Sequence, residues 1–127
     1  IQEQRIRIDC TTLDLVTARI PNLIKIDVEG FETEVIKGAN KILSGHDLKA
    51  IIIELNGSGE RYGYNEENIH NTLLSYGFLP YFYNSFNRKL ELLEHWGTHN
   101  SIYIRDLAFA ENRIKSAPRF SINNLSL

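Results

Sequence analysis

Four oxygen-bearing side chains stand in two short groups, Asp27 with Glu29 and Glu54 with Asn56, and each group closes an apolar run. A carboxylate in such a place can take the proton from a hydroxyl as that oxygen attacks an electrophile. Carboxylates can instead hold a divalent cation that orients a hydroxyl and makes it more acidic, an arrangement suited to vicinal diols. Oxygen donors without a nearby His or Cys cluster favour Mg²⁺ over zinc. Asp27, Glu29 and Glu54 are therefore the candidate catalytic residues, and Asp27, Glu54 and Asn56 the candidate Mg²⁺ ligands. A metal-free carboxylate site receives the greater weight. Plain structural roles compete with both: Glu29 capping the helix that begins near Phe31, and Glu54 pairing with a lysine.

These residues need a scaffold that brings both groups to one place. Leu23, Ile24, Ile26 and Val28 form a short apolar run expected of a strand covered on both faces. Phe31, Val35, Ile36, Ala39, Ile42 and Leu43 recur at helical spacing and predict one helix from Phe31 to Leu43. The most apolar run, Lys49 to Leu55, is expected to be a central strand parallel to its predecessor. Adjacent parallel strands would then set Asp27, Glu29, Glu54 and Asn56 on one rim, the carboxyl end where open α/β sheets bind ligands. Upstream, Gln4 to Cys10 alternates Ile6 and Ile8 with arginines and predicts an edge strand. A short helix from Thr11 or Thr12 follows, carrying Leu13, Val16 and Ile20 on one face and ending at Pro21.

Downstream, residues 56–64 read as a polar, glycine-containing loop able to move over a site, and a helix from about Glu66 to Tyr76 is stopped by Gly77. Arg61, Tyr62 and Tyr64 on that loop, with Asn56, are the candidate substrate-binding residues, because aromatic faces pack on sugar rings and Arg fixes hydroxyl or acidic groups. Strands are expected at Phe78 to Tyr83, Lys89 to Leu93 and His99 to Arg105, the last antiparallel because no helix precedes it. His99 and Asn100 could approach the rim from it. His46 and His70 are read as lying in a turn and on a helix surface, without a role. A terminal helix should follow Asp106 and give way to a polar tail.

The run KIDVEGFETEVIKGA, from Lys25 to Ala39, closely resembles the signature of the FkbM family of S-adenosylmethionine-dependent methyltransferases. Thr12, Leu13 and Asp14 resemble that family's T-L-D-x-L, and the Ile51 to Leu55 strand follows in the family's order. The resemblance implies an α/β chain forming the C-terminal half of a Rossmann-like class I methyltransferase fold, mostly parallel with an antiparallel last strand. It implies a methyl transfer from S-adenosylmethionine to a hydroxyl of a sugar, glycolipid or polyketide-like acceptor. In that fold Asp27 lies at the strand end facing the methyl group, as base, ligand or substrate clamp. The glycine turn that cradles the cofactor in such enzymes has no counterpart here; Gly57 and Gly59 belong to a later loop. Cofactor-binding residues are thus unassigned beyond Asp27 as the nearest, and the chain, which starts at Ile1 and has no methionine, is expected to be part of a longer protein and inactive alone.

A chain of 127 residues is expected to form one partial domain: a lead-in over 1–20, a sheet core over 21–105, and a helix and tail over 106–127. The net charge of −2, without a basic stripe, argues against a nucleic-acid partner. No run is long enough to span a bilayer and no signal core is visible, so a cytoplasmic location is expected. Cys10, the one cysteine, reads as a small buried hydrophobe ending a strand. The competing function is a non-catalytic fragment or a binding or assembly module, self-associating through an exposed sheet edge.

Overall fold

A computed structural model describes residues 5–122 and 125–126. In order, the elements are α1 (Leu13–Val16), β1 (Leu23–Ile26), α2 (Glu32–Lys37), α3 (Asn40–Ser44), β2 (Ala50–Leu55), a 3₁₀ turn (Ser58–Tyr62), α4 (Glu66–Ser75), β3 (Leu79–Asn84), β4 (Lys89–Leu92), β5 (His99–Ile104) and α5 (Leu107–Ser116). Two-residue strands Ser121–Ile122 and Leu125–Ser126 form a separate small hairpin.

The five-stranded sheet has the order β1-β2-β5-β3-β4. β1 and β2 are parallel, with Ile26 opposite Ile53, whereas β5 is antiparallel to both β2 and β3, and β4 is antiparallel to β3. Pair by pair the sheet is therefore mostly antiparallel, which corrects the expectation of a mostly parallel one. The reason is that the hairpin-like return through β4 delivers β5 between β2 and β3. β1, β2 and β3 still run in one direction.

β2 alternates across the sheet. Ile51, Ile53 and Leu55 are buried on the side of α2, α3 and α4, where Ile36, Ile42, Leu43, Leu48, Ile69, Leu73, Phe78 and Tyr103 complete the core. Ala50, Ile52 and Glu54 face the other way, toward the side on which α5 lies. A cleft of about 720 Å³ remains there, between Ile52, Ile102 and Ile104 of the sheet and Phe109, Ala110 and Ile114 of α5.

Three local expectations are corrected. Residues 5–10 form no strand and are exposed, Cys10 included, because no neighbouring strand offers them a ladder; Gln4 lies outside the described residues. The helix expected over 31–43 is two, broken at Gly38 and Ala39. The break brings Thr12 so close to Gly38 that a Cβ there would lie 3.1 Å from Thr12 Cβ, and it lets Asp14 cap α3 from a distance: its carboxylate accepts the N–H groups of Lys41 (2.9 Å) and Ile42 (3.0 Å). The helix after Thr12 is one turn long and does not reach Ile20. The terminal helix is present as α5, with Asp106 as its N-cap, and the end of the expected tail at 123–124 and 127 lies outside the described residues.

Candidate carboxylate site

Because β1 and β2 are adjacent, parallel and in register, the chain leaves both at the same rim. Asp27, Glu29 and Glu54 converge there, each offering a carboxylate oxygen within 4.8 Å of the others. Lys25 lies two residues before Asp27, hence on its face of the strand, and donates to Asp27 Oδ2. This hydrogen bond and the lysine's charge lower the Asp27 pKa and keep the group ionised. Glu54 moves the other way: partial burial first, then the negative charges of Asp27 and Glu29, raise its pKa. Neighbouring acids pushed in opposite directions are a pattern found at proton-transfer sites.

The turn that presents Glu29 is built tightly. Glu29 and Gly30 both have positive φ, 54° and 102°. A Cβ on Gly30 would lie 2.7 Å from the Ser58 carbonyl oxygen, so this position needs glycine both for its conformation and for the close approach of the 3₁₀ turn. Glu32, only 4% exposed, closes the turn from within: its Oε1 accepts the N–H groups of Val28 (3.1 Å) and Gly30 (3.3 Å). The capping role considered for Glu29 is not filled, since α2 has no side-chain cap hydrogen bond; Glu32 instead braces the turn before it. Arg61 donates to the Glu29 carbonyl and lies over the Tyr62 ring at 4.9 Å.

The segment read as a bare mobile loop is a packed 3₁₀ turn, with Gly59 buried. Tyr62 stacks on Phe31 with centroids 4.4 Å apart, and Tyr64 meets Phe31 edge-on at 6.4 Å. The Glu34 carboxylate near Tyr64 raises the pKa of its hydroxyl. Asn56 turns its Oδ1 onto the Ser58 N–H at 2.9 Å, while the carboxylates that come together are those of Asp27, Glu29 and Glu54. Asn100 stands opposite Glu54 in the β2–β5 ladder, beside the site as expected of it, and His99 pairs with Leu55.

Sequence reasoning passed over Lys25, Phe31 and Glu32. The period of two on a strand could have shown Lys25; nothing in residue type separates Glu32 from Glu34, and only burial does. His70 is corrected as well: it is 5% exposed, and its Nδ1 is hydrogen-bonded to the Tyr103 hydroxyl at 2.8 Å.

The three carboxylates are a fitting donor set for a hard cation such as Mg²⁺. S-adenosylmethionine is different: among the described residues no glycine turn follows a strand in a position to cradle it. Gly57 and Gly59 follow β2 as the N-cap and an interior residue of the 3₁₀ turn, so the residues present do not by themselves fit that cofactor. Among the described residues, no helix is long and apolar enough to cross a membrane. A family model described as the methyltransferase FkbM domain matches residues 1–80, which include α1, β1 and β2 and all three carboxylates. No curated protein and no solved structure matches the chain.

Proposed function

Since the chain belongs to the FkbM methyltransferase family, we propose that it supplies the acceptor side of an S-adenosylmethionine-dependent O-methyltransferase acting on a hydroxyl of a sugar, glycolipid or polyketide-like molecule. The observation that carries this reading is the convergence of Asp27, Glu29 and Glu54 at the ends of two parallel strands. Glu54 is the base: its raised pKa gives its carboxylate more affinity for a proton than an ordinary one, while the ion pair with Lys25 keeps Asp27 charged beside it. The acceptor hydroxyl donates to Glu54, with Asp27 and Glu29 fixing neighbouring polar groups. Tyr62 and Tyr64 offer ring faces to the acceptor body, and Arg61 and Asn56 stand at its edge. If Mg²⁺ takes part, Asp27, Glu29 and Glu54 hold it, and the cation would supply a lower hydroxyl pKa.

The same proposal places the chain as the C-terminal half of a Rossmann-like fold in the cytoplasm. In favour of the fold are the common direction of β1, β2 and β3 and helices on both faces of the sheet, α2, α3 and α4 on one and α5 on the other. One observation favours the assembly reading instead: the outer edge of β1 has no partner strand among the described residues, and Leu23 is 54% exposed. Self-association through that edge is then expected.

The test is methyl transfer from S-adenosylmethionine onto a panel of sugars, glycolipids and polyketides, by this chain and by a version extended upstream. Calorimetry with the cofactor and its demethylated product accompanies it. Activity of the extended form that falls at least 100-fold in Glu54→Gln supports the catalytic reading, as expected of a removed general base. Self-association without cofactor binding by either form would favour the assembly module.

A further inference from the structure

A second group of titratable residues lies between α4 and the start of β5, on the face of the sheet that the core helices cover. His70 on α4 is buried, with its Nδ1 on the Tyr103 hydroxyl. His95 stacks on it at 4.8 Å between ring centroids, and Trp96 lies 3.6 Å from His95 and 5.3 Å from His70. His95 and Trp96 belong to residues 94–98, a stretch without regular structure that leads into β5. Its two ends are tied by backbone or short-range bonds, Leu93 N–H to the Pro80 carbonyl (2.9 Å) and Ser101 Oγ to the Gly97 carbonyl (3.3 Å). Its middle is held by the two side chains packed on His70. Just beyond it, Asn100 is paired with Glu54.

We propose that residues 94–98 are a pH-sensitive latch on the rim of the carboxylate site, docked on α4 while the His70 ring is neutral and lifted when that ring takes up a proton. The two histidines differ in their surroundings. His95 Nε2 lies 3.2 Å from Glu67 Oε2, with its ring against Trp96. A proton on His70 meets a buried setting and the His95 ring beside it. The groups facing His70 are Tyr103 from β5, His95 and Trp96 from the latch, and Glu67 from its own helix, with Glu66 one residue further along. Of these, the Glu67 charge favours the charged ring. Burial and His95 outweigh it and lower the His70 pKa. A group whose docked pKa lies below its free value stabilises the docked form at high pH, and that contribution is lost as pH falls through the His70 value. Lifting the latch would loosen the start of β5 and so the Asn100–Glu54 pair.

Trp96, the one tryptophan of the chain, reports on the latch directly. Its emission maximum and the far-UV circular dichroism are followed from pH 8 to pH 4.5. The expected result is a red shift with a midpoint below the ordinary histidine value of about 6.5, at unchanged dichroism. In His70→Gln, which keeps a partner for the Tyr103 hydroxyl, the transition should vanish. Should that variant not fold, wild-type NMR serves: the His70 ring and Trp96 indole signals must move with one midpoint. A flat Trp96 maximum, a transition retained in His70→Gln, separate midpoints, or loss of dichroism in step with the red shift would each overturn the latch. None of these readouts depends on methyl transfer, so the latch and the proposed activity stand or fall separately.

Discussion

Replacing Arg105 by alanine should cost more stability than almost any other surface-reaching substitution in this chain. The guanidinium follows β5 and gathers carbonyl oxygens from three segments: Leu43 at the end of α3 (2.7 Å), Gly45 and Leu48 (2.6 Å for the latter) in the connection to β2, and, more weakly, Tyr76 after α4 (3.4 Å). It also lies over the buried Phe78 ring at 4.4 Å. Taking the bonds to Leu43 and Leu48 at about 1.5 kcal/mol each and the ring contact at about 0.5 kcal/mol, the loss comes to about 3.5 kcal/mol. Domains of this kind are stable by about 5–15 kcal/mol, so a large share is at stake. Arg105→Lys should recover about half, since an ammonium keeps the charge but cannot span carbonyls with a planar fork. Urea unfolding is the assay: with a slope of about 1.75 kcal/mol per molar, the midpoint should fall by about 2 M for alanine and about 1 M for lysine. A loss below about 1 kcal/mol for Arg105→Ala, or a lysine variant equal to wild type, would refute the reasoning that the fork ties the two helix ends together.

Two further outcomes follow from the turns and caps. Glu32→Ala leaves the Val28 and Gly30 N–H groups without their acceptor and should cost about 2–3 kcal/mol, against under about 1.5 for Glu32→Gln, which keeps an oxygen in place; thermal unfolding separates them. Asp106 caps α5 through the Phe109 N–H (3.0 Å) and pairs with Lys49 (3.1 Å), and these two contacts, the N–H first, lower its pKa. Its contribution is therefore present above the unfolded value of about 3.8 and lost as pH falls through the folded one, so wild type and Asp106→Asn should differ at pH 7 and converge in acid, as denaturant unfolding at several pH values would read.

Much of this was legible in the residues, and what was not has physical causes. The β1 and β2 runs, the α4 pattern and the gathering of Asp27, Glu29 and Glu54 follow from apolar periodicity and from the geometry of parallel strands, which are local or nearly so. The Ile6 and Ile8 alternation misled because a period of two describes a chain that would suit a sheet, not one that has a neighbour to pair with. Gly38 fell inside an apolar helical pattern, and its break depends on Thr12 and Asp14, more than twenty residues away. The direction of pairing failed for a similar reason: β5 is antiparallel as expected, but nothing local tells that it enters between two strands and makes two antiparallel pairings, which with the β3–β4 hairpin give three of the four. Burial likewise distinguishes Glu32 from Glu34 and gives His70 a partner.

The late arrival of β5 has a bearing on how the chain comes to be folded at all. β2 pairs on one side with β1, a short distance back, but on the other with residues as far on as Ile104, opposite Ala50. During synthesis the β1–β2 unit can form early, while the second edge of β2 stays open until some fifty further residues have left the ribosome. Contacts this distant in sequence close slowly, and an apolar edge such as Ile51, Ile52 and Ile53 waits exposed in the meantime. Arg105, the residue immediately after, then binds carbonyls laid down long before it. The strand that completes the sheet and the side chain that fastens the helices are thus delivered together, and a nascent chain stalled before that point is the form most in need of a chaperone.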